Sequence, residues 1–276
     1  MKYALSAFAL LMVTACEPAP EGQPVTRTRI DGQGSPATTP APAETATGNT
    51  QVESACRSVI FEDTPLTHCL ASPGRHRIGM DLGPSGGQPY RSLSAFAKTH
   101  SAGTVAFAMN AGMYDEAGDP IGYFVEDGER AQTLSTADGE GNFHMKPNGV
   151  FFGTGDEWEV RTTDDFLANV RDRPQFGTQS GPMLVIDGKL HPDISFDGES
   201  RLIRNGVGVD GKGRAHFVIS NAAISFGKLA RFFRDELDVK NALYLDGNVS
   251  ALWNPATGRL DTGAPIGPIV VVEKKD

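Results

Sequence analysis

Positive charge is scarce in this chain of 276 residues. Lys and Arg number 25 against 34 Asp and Glu, a formal net charge of −9, and a surface of that sign repels polyanions, which argues against nucleic acid as a partner. No basic block or aromatic-basic ladder offsets it. Cysteine is scarcer still, at three residues with no CxxC pair, so a structural zinc site has little to build on. The apolar stretch at residues 4–13 is too short to span a bilayer stably. A P-loop and an H-E-x-x-H helix are absent, and Thr178-Gln179-Ser180-Gly181-Pro182 lacks the first glycine of a G-x-S-x-G elbow. The six histidines are scattered, and His144 and His216 read as a loop and a strand histidine rather than as ligands. No cofactor motif is present, a divalent ion held by aspartates stays open, and no repeat of fixed period points to a solenoid or propeller.

What is present begins with an export signal. Lys2, the apolar stretch and Thr14-Ala15-Cys16 give a basic start, a short hydrophobic region and small residues before a cleavage point. Val13-Thr14-Ala15-Cys16 also resembles a bacterial lipobox, in which Cys16 is lipidated and becomes the mature N-terminus, so residues 1–15 read as a lipoprotein signal peptide. An ordinary secreted protein in which Cys16 is incidental is the competing reading. Glu17 after the cysteine fits delivery from the periplasmic side to the outer membrane if the host is Gram-negative. Residues 16–54 are rich in Pro, Thr, Ala and Gly and nearly free of large apolar side chains, so they read as a flexible tether. Cys56 and Cys69 remain, and in an exported protein they are expected to form a disulfide.

Residues 55–276 are enough for one domain with a substantial core. Ser58-Val59-Ile60-Phe61, His76-Arg77-Ile78-Gly79-Met80, Trp158-Glu159-Val160-Arg161 and Pro268-Ile269-Val270-Val271-Val272 read as strands, the last of them central. Asp127-Gly128, Asp187-Gly188 and Asp210-Gly211 look like hairpin turns, and so does Asp246-Gly247 between Leu243-Tyr244-Leu245 and Val249-Ser250-Ala251-Leu252. Helices are expected over residues 92–99, after a Thr163 cap to 170, and over 225–237, where Phe226, Leu229, Phe233 and Leu237 share a face that Lys228, Arg231, Arg234 and Asp235 avoid. The sum is an α+β fold, a single domain of mixed, largely antiparallel β-sheets with two or three helices.

Several apolar runs end in polar residues, which is where a rigid scaffold presents reactive groups. Asn110-Ala111-Gly112-Met113-Tyr114, Gln179-Ser180-Gly181-Pro182, Arg204-Asn205-Gly206-Val207-Gly208 and Leu243-Tyr244-Leu245-Asp246-Gly247, in this order, resemble the phosphodiester glycosidase family across residues 100–272. That family includes the lysosomal uncovering enzyme, which removes N-acetylglucosamine from a phosphodiester-linked mannose. The resemblance implies an envelope-anchored hydrolase that cleaves the bond between a sugar and a phosphodiester. Asp246 becomes the expected catalytic carboxylate, because an oxocarbenium-like transition state needs negative charge near the anomeric carbon. Lys146 and Arg204 would hold the phosphate, with Asn110, Asn148, Gln179, Ser180, Asn205 and Ser250 adding neutral hydrogen bonds. Asp115, Glu116 and Glu126 are the candidates for a second carboxylate. The alternative is a periplasmic protein that binds a phosphorylated glycan or cell-wall fragment without turnover, and a passive envelope scaffold is a third reading.

Two departures bear on specificity. The family more often carries Asn-Gly-Gly-Phe-Phe where this chain has Asn110-Ala111-Gly112-Met113-Tyr114, and Asp-Gly-Gly-Gly-Ser where it has Asp246-Gly247-Asn248-Val249-Ser250. Side chains replace glycines there, so the space offered to substrate differs. The N-terminal reading has its own test: labelled fatty acid supplied to expressing cells is expected to be incorporated into the wild-type chain and not into Cys16→Ser. Equal labelling of the two chains overturns the lipidation site.

Overall fold

The computed structural model describes residues 53–246 and 249–275. The expected signal peptide and most of the expected tether, residues 1–52, lie outside the described residues, as do Gly247 and Asn248. In chain order the strands are β1 (Cys56–Phe61), β2 (Thr64–Ala71), β3 (His76–Asp81), β4 (Val105–Asn110), β5 (Phe124–Glu126), β6 (Glu129–Gln132), β7 (Gly149–Thr154), β8 (Glu157–Thr162) and β9 (Phe176–Ser180). They continue as β10 (Met183–Ile186), β11 (Lys189–Leu190), β12 (Asn205–Val209), β13 (Ala215–Ser220), β14 (Asn241–Tyr244), β15 (Leu252–Asn254), β16 (Arg259–Leu260) and β17 (Ile269–Lys274). Three α-helices accompany them: α1 (Leu93–Phe96), α2 (Thr163–Asn169) and α3 (Phe226–Arg231).

The strands form three sheets, all of whose paired neighbours run antiparallel. A seven-stranded sheet has the order β1-β2-β13-β12-β14-β10-β11. A second, five-stranded, has the order β16-β15-β4-β17-β3, and a third, also five-stranded, β6-β5-β9-β7-β8. Their apolar faces meet at Phe217 of β13. Its ring lies 5.3 Å from that of Phe107 on β4 and 5.6 Å from that of Phe151 on β7, both edge-on, so one aromatic side chain ties the three sheets together.

Local signals act as the sequence requires. Asp127-Gly128 and Asp187-Gly188 take positive φ at both positions and close the β5–β6 and β10–β11 hairpins. Ser92 and Ser225 accept main-chain N–H groups as N-caps of α1 and α3, whereas α2 is capped by Thr162 and not by the expected Thr163, which is its first helical residue. Cys56 and Cys69 face one another in the β1–β2 register and are disulfide-bonded; closing so short a loop contributes about 3 kcal/mol.

Three expectations need correction. The β1–β2 hairpin turns at Glu62-Asp63, both at positive φ without a glycine, so β2 was not signalled. The third helix is α only to Arg231 and continues as a π-helical segment, Phe232–Glu236. Arg231, expected outside, is 4 % exposed, paired with Glu62 at 2.6 Å and stacked on Phe196. Most consequential, Asp246 does not sit in a hairpin. β14 pairs with β12 and β10 in the seven-stranded sheet, whereas β15 pairs with β4 and β16 in the second. The chain changes sheet at Asp246, because long-range partners compete successfully with a local turn.

A cleft of about 640 Å³ lies elsewhere, lined by Asp81 at the end of β3, His100, and Glu126 and Asp127 of the β5–β6 hairpin. Burial, reinforced by the Asp127 charge, pushes the Asp81 carboxyl up to about 6. Burial, reinforced by Asp81, pushes Glu126 up to about 7. His100 Nε2 lies 3.2 Å from Asp81, so an imidazole stands beside the buried carboxyl. The folded chain thus binds protons between pH ~4 and ~7 that the unfolded chain has released. The stability this provides is complete below that window and is lost as pH rises through it. Urea melts at pH 5 and pH 7.5 are expected to show a larger loss for wild type than for Asp81→Asn; equal losses overturn the assignment.

Candidate active site at the sheet junction

Ends of strands from all three sheets converge around Asp246. Asn110 closes β4, Asn205 opens β12, Ser180 closes β9, and Asp246 follows β14 by two residues. Asn110 and Asn205 are essentially buried, at 1 % and 0 % exposure. Asn205 Nδ2 donates to both the side-chain and main-chain oxygens of Asn110, each at 3.1 Å, and Asn205 Oδ1 accepts from Ser250 Oγ at 3.1 Å. Asn110 Oδ1 also accepts from Ala251 N at 2.8 Å, and Asn110 Nδ2 approaches the Asp246 carbonyl at 3.5 Å. The Asp246 amide donates to Ala111 O at 3.1 Å and the Leu245 amide to Asn205 O at 3.2 Å. The Leu245 and Asp246 amides thus hold the chain where it leaves β14, and the Asn110 bond to Ala251 N holds it before β15. Gly112 makes the approach of the third sheet possible: a Cβ there would lie 2.3 Å from Gln179 O, and its N–H donates to Thr178 Oγ1 at 3.0 Å.

Asp246 is buried, with its carboxylate between two tyrosines. Tyr114 lies flat on Gly267, where a Cβ would come within 2.3 Å of its ring, and its hydroxyl donates to Pro265 O at 2.5 Å. Burial raises the Tyr114 phenol, the Asp246 charge beside it raises it further, and Arg91 acts in the opposite sense. Burial pushes Tyr244 up to about 12, although the neighbouring Arg204 lowers it. Both phenols therefore stay protonated and can donate hydrogen bonds.

The expected cations are placed differently from one another. Arg204 is fully buried; Nε donates to Ile224 O at 2.9 Å, Nη1 to Tyr244 Oη at 2.9 Å, and Nη2 to Ser200 O and Oγ at 3.0 and 2.9 Å. Its guanidinium also stacks on Phe226, 3.7 Å from the ring centre. Lys146 Nζ donates to Thr136 O at 2.9 Å and pairs with the exposed Asp138 at 2.5 Å. Among the described residues no hydrogen bond or ion pair joins Lys146 to the Asn110–Asn205–Ser250 group.

The remaining neutral candidates divide in the same way. Asn148 and Gln179 are saturated by the protein: Asn148 bonds Phe143 O and Thr163, and Gln179 bonds Tyr123 N, both main-chain groups of Ser135, and Thr163. Ser180 Oγ is fully buried and lacks a partner. Asp115 accepts from Gly118 N and Asp119 N within its own turn, and Glu126 belongs to the distant carboxyl cleft. His216 stacks on His68 and lies 3.1 Å from Asp210, and burial keeps both imidazoles low, His68 at about 4.

Arg91 had no sequence signal. It follows the loop after β3 at positive φ, its guanidinium lies 5.3 Å from the centre of the Tyr114 ring, and its Nη1 is buried without a hydrogen-bond partner. Tyr114 could have been found, since it adds a hydroxyl where related sequences more often carry phenylalanine. The paired amides generate a test of their own. Asn110→Ala strands Ala251 N–H and the Asn205 amide, so it is expected to cost about 1–3 kcal/mol in urea melts. Adding Asn205→Ala should cost less than the sum of the single changes; strict additivity overturns the clasp.

Residues 103–272 match the sequence profile described as phosphodiester glycosidase. The chain is 36% identical over 205 residues to "Uncharacterized protein YigE" of Escherichia coli (strain K12), covering 74% of this chain and 80% of that protein. The fold is similar to that of the catalytic domain of zebrafish N-acetylglucosamine-1-phosphodiester alpha-N-acetylglucosaminidase, described as auto-inhibited by its pro-peptide. The TM-score is 0.55 at 16% identity, over 80% of this chain and 82% of that one. The matched residues begin before β4 and run into β17, and so take in Asn110, Ser180, Asn205, Asp246 and Ser250 together: the chain belongs to the phosphodiester glycosidase family.

Proposed function

We propose that the protein hydrolyses the bond between the anomeric carbon of a sugar and a phosphodiester, with Asp246 as the catalytic carboxylate. The observation that carries this is the placement of Asp246, buried where the chain crosses between sheets and flanked by the protonated Tyr114 and Tyr244. Family membership supports a hydrolase role. In the reaction the bond from C1 to the phosphate oxygen breaks and the phosphate departs with the electron pair. Water supplies the hydroxyl that the sugar gains and releases one proton. Phosphate is a good leaving group, so the main demand on the protein is negative charge beside the positively charged carbon, which Asp246 supplies.

The substrate anion also needs a counter-charge in a chain of net charge −9. Arg91 fits that role better than the two cations expected from sequence. Arg204 has its nitrogens committed beneath Phe226, and Lys146 is held by Asp138. Arg91 sits on Tyr114, the phenol that the Asp246 charge also reaches, with a buried nitrogen unsatisfied. Ser250, on the clasp, can present its hydroxyl to the sugar. Export and lipid anchoring through Cys16 would place this activity at the cell envelope.

The test is release of sugar from a panel of sugar 1-phosphodiesters, beginning with N-acetylglucosamine. Asp246→Asn is expected to lower kcat by about a thousandfold or more, Arg91→Met to raise KM, and Lys146→Ala to stay within about twofold of wild type. Full activity of Asp246→Asn removes the catalytic assignment. Binding without release by the wild type establishes the non-catalytic alternative.

A further inference from the structure

A groove of about 400 Å³ opens beside the candidate site, within the ~300–1,000 Å³ of ordinary ligand sites. Its walls are mainly apolar: Leu202, Ile203, Val249, Ala251, Ala264 and Ile266. Leu202 and Ile203 are adjacent and remain 41% and 39% exposed on its lip, which leaves large apolar side chains in water next to a polar centre. The charged group in the groove, Asp261, is already neutralised by Arg259 at 2.7 Å and accepts the Leu252 amide at 3.0 Å.

The groove and the site are continuous at two places. Ser250 lines the groove while its hydroxyl bonds Asn205 in the clasp, and it also donates to Ile203 O at 3.1 Å. On the other side Ser92 lines the groove directly after Arg91, and the Ile266 amide donates to Arg91 O at 3.0 Å. Ser92 and Ser250 therefore give the groove hydrogen-bonding groups beside the site, while most of its wall is apolar.

We propose that the groove binds the alcohol half of the phosphodiester and that this alcohol is an alkyl or isoprenyl chain, so that the substrate is an amphiphilic sugar phosphate. This rests on the proposed hydrolysis. An anionic phosphodiester complements Arg91, and a hydrocarbon chain leaving the phosphate enters the space between Leu202, Val249 and Ile266. A polar second sugar could meet Ser92, Ser94, Ser250, Asp261 and Thr262 but would leave the larger, apolar part of the wall against its hydroxyls.

Two esters of N-acetylglucosamine 1-phosphate, differing only in a methyl or an n-hexyl alcohol, separate the possibilities when offered to the full exported chain below micellar concentrations. Each buried methylene is worth roughly fourfold, so kcat/KM for the hexyl ester is expected to exceed that for the methyl ester by about tenfold or more. Leu202→Asp and Val249→Gly should each erode this preference. Equal kcat/KM for the two esters, or a preference that both variants retain, overturns the groove assignment while leaving the hydrolase reading intact. If neither ester is cleaved, the hydrolase reading fails, and calorimetric binding of the same esters decides the groove: tighter hexyl binding that Leu202→Asp weakens supports it, and equal or absent binding overturns it.

Discussion

The hydrogen bonds between Asn110 and Asn205 hold the candidate site together. Each residue ends a strand, β4 in one sheet and β12 in another, and each amide carries a donor and an acceptor. That dual capacity lets Asn205 grip Asn110 and Ser250 at once while Asn110 accepts the Ala251 amide. The pair is neutral, so it can be buried without the desolvation cost of an ion pair, and it is expensive to leave half-made. Its effect is positional. Leu245 and Asp246 leave one sheet, and Ala251 precedes the next, at positions held by bonds to the Asn110 and Asn205 residues.

Charge around the site follows from packing rather than from composition. Asp246 is an anion in an acidic protein, yet its described surroundings are two phenols whose protons burial retains. Arg204 lies under Phe226 with its nitrogens distributed over Ser200, Ile224 and Tyr244. It braces Tyr244 and through it the end of β14. Arg91 occupies the corresponding position on Tyr114, 5.3 Å from its ring centre, as Arg204 lies 5.4 Å from that of Tyr244. A mainly apolar groove, lined in part by Ser92 and Ser250, adjoins this polar centre.

Features with a local cause were legible in the sequence. The Asp127-Gly128 and Asp187-Gly188 turns form because both residues tolerate positive φ, and Ser92 and Ser225 cap their helices because a hydroxyl satisfies a free N–H wherever the helix begins. The Glu62-Asp63 turn adopts the same geometry without glycine and gave no signal. Asn110, Asn205, Asp246 and Ser250 were identifiable as strand-end polar groups, and their order along the chain carried the family resemblance. Arg91, in a loop of no motif, was not.

The sequence by itself determined that residues 55–276 would build antiparallel sheets, that Cys56 would meet Cys69, and that Asp246 would follow a buried strand. Only the tertiary structure decided that β14 and β15 pair in two different sheets instead of forming one hairpin, that Lys146 turns to Asp138 and Arg204 inward, and that Arg91 comes to rest beside Tyr114. The reason is physical. A turn or a cap is fixed by the dihedral preferences and hydrogen bonds of a few neighbouring residues, whereas the partner of a strand and the direction of a long cationic side chain are fixed by surfaces that the chain brings together from far along its length.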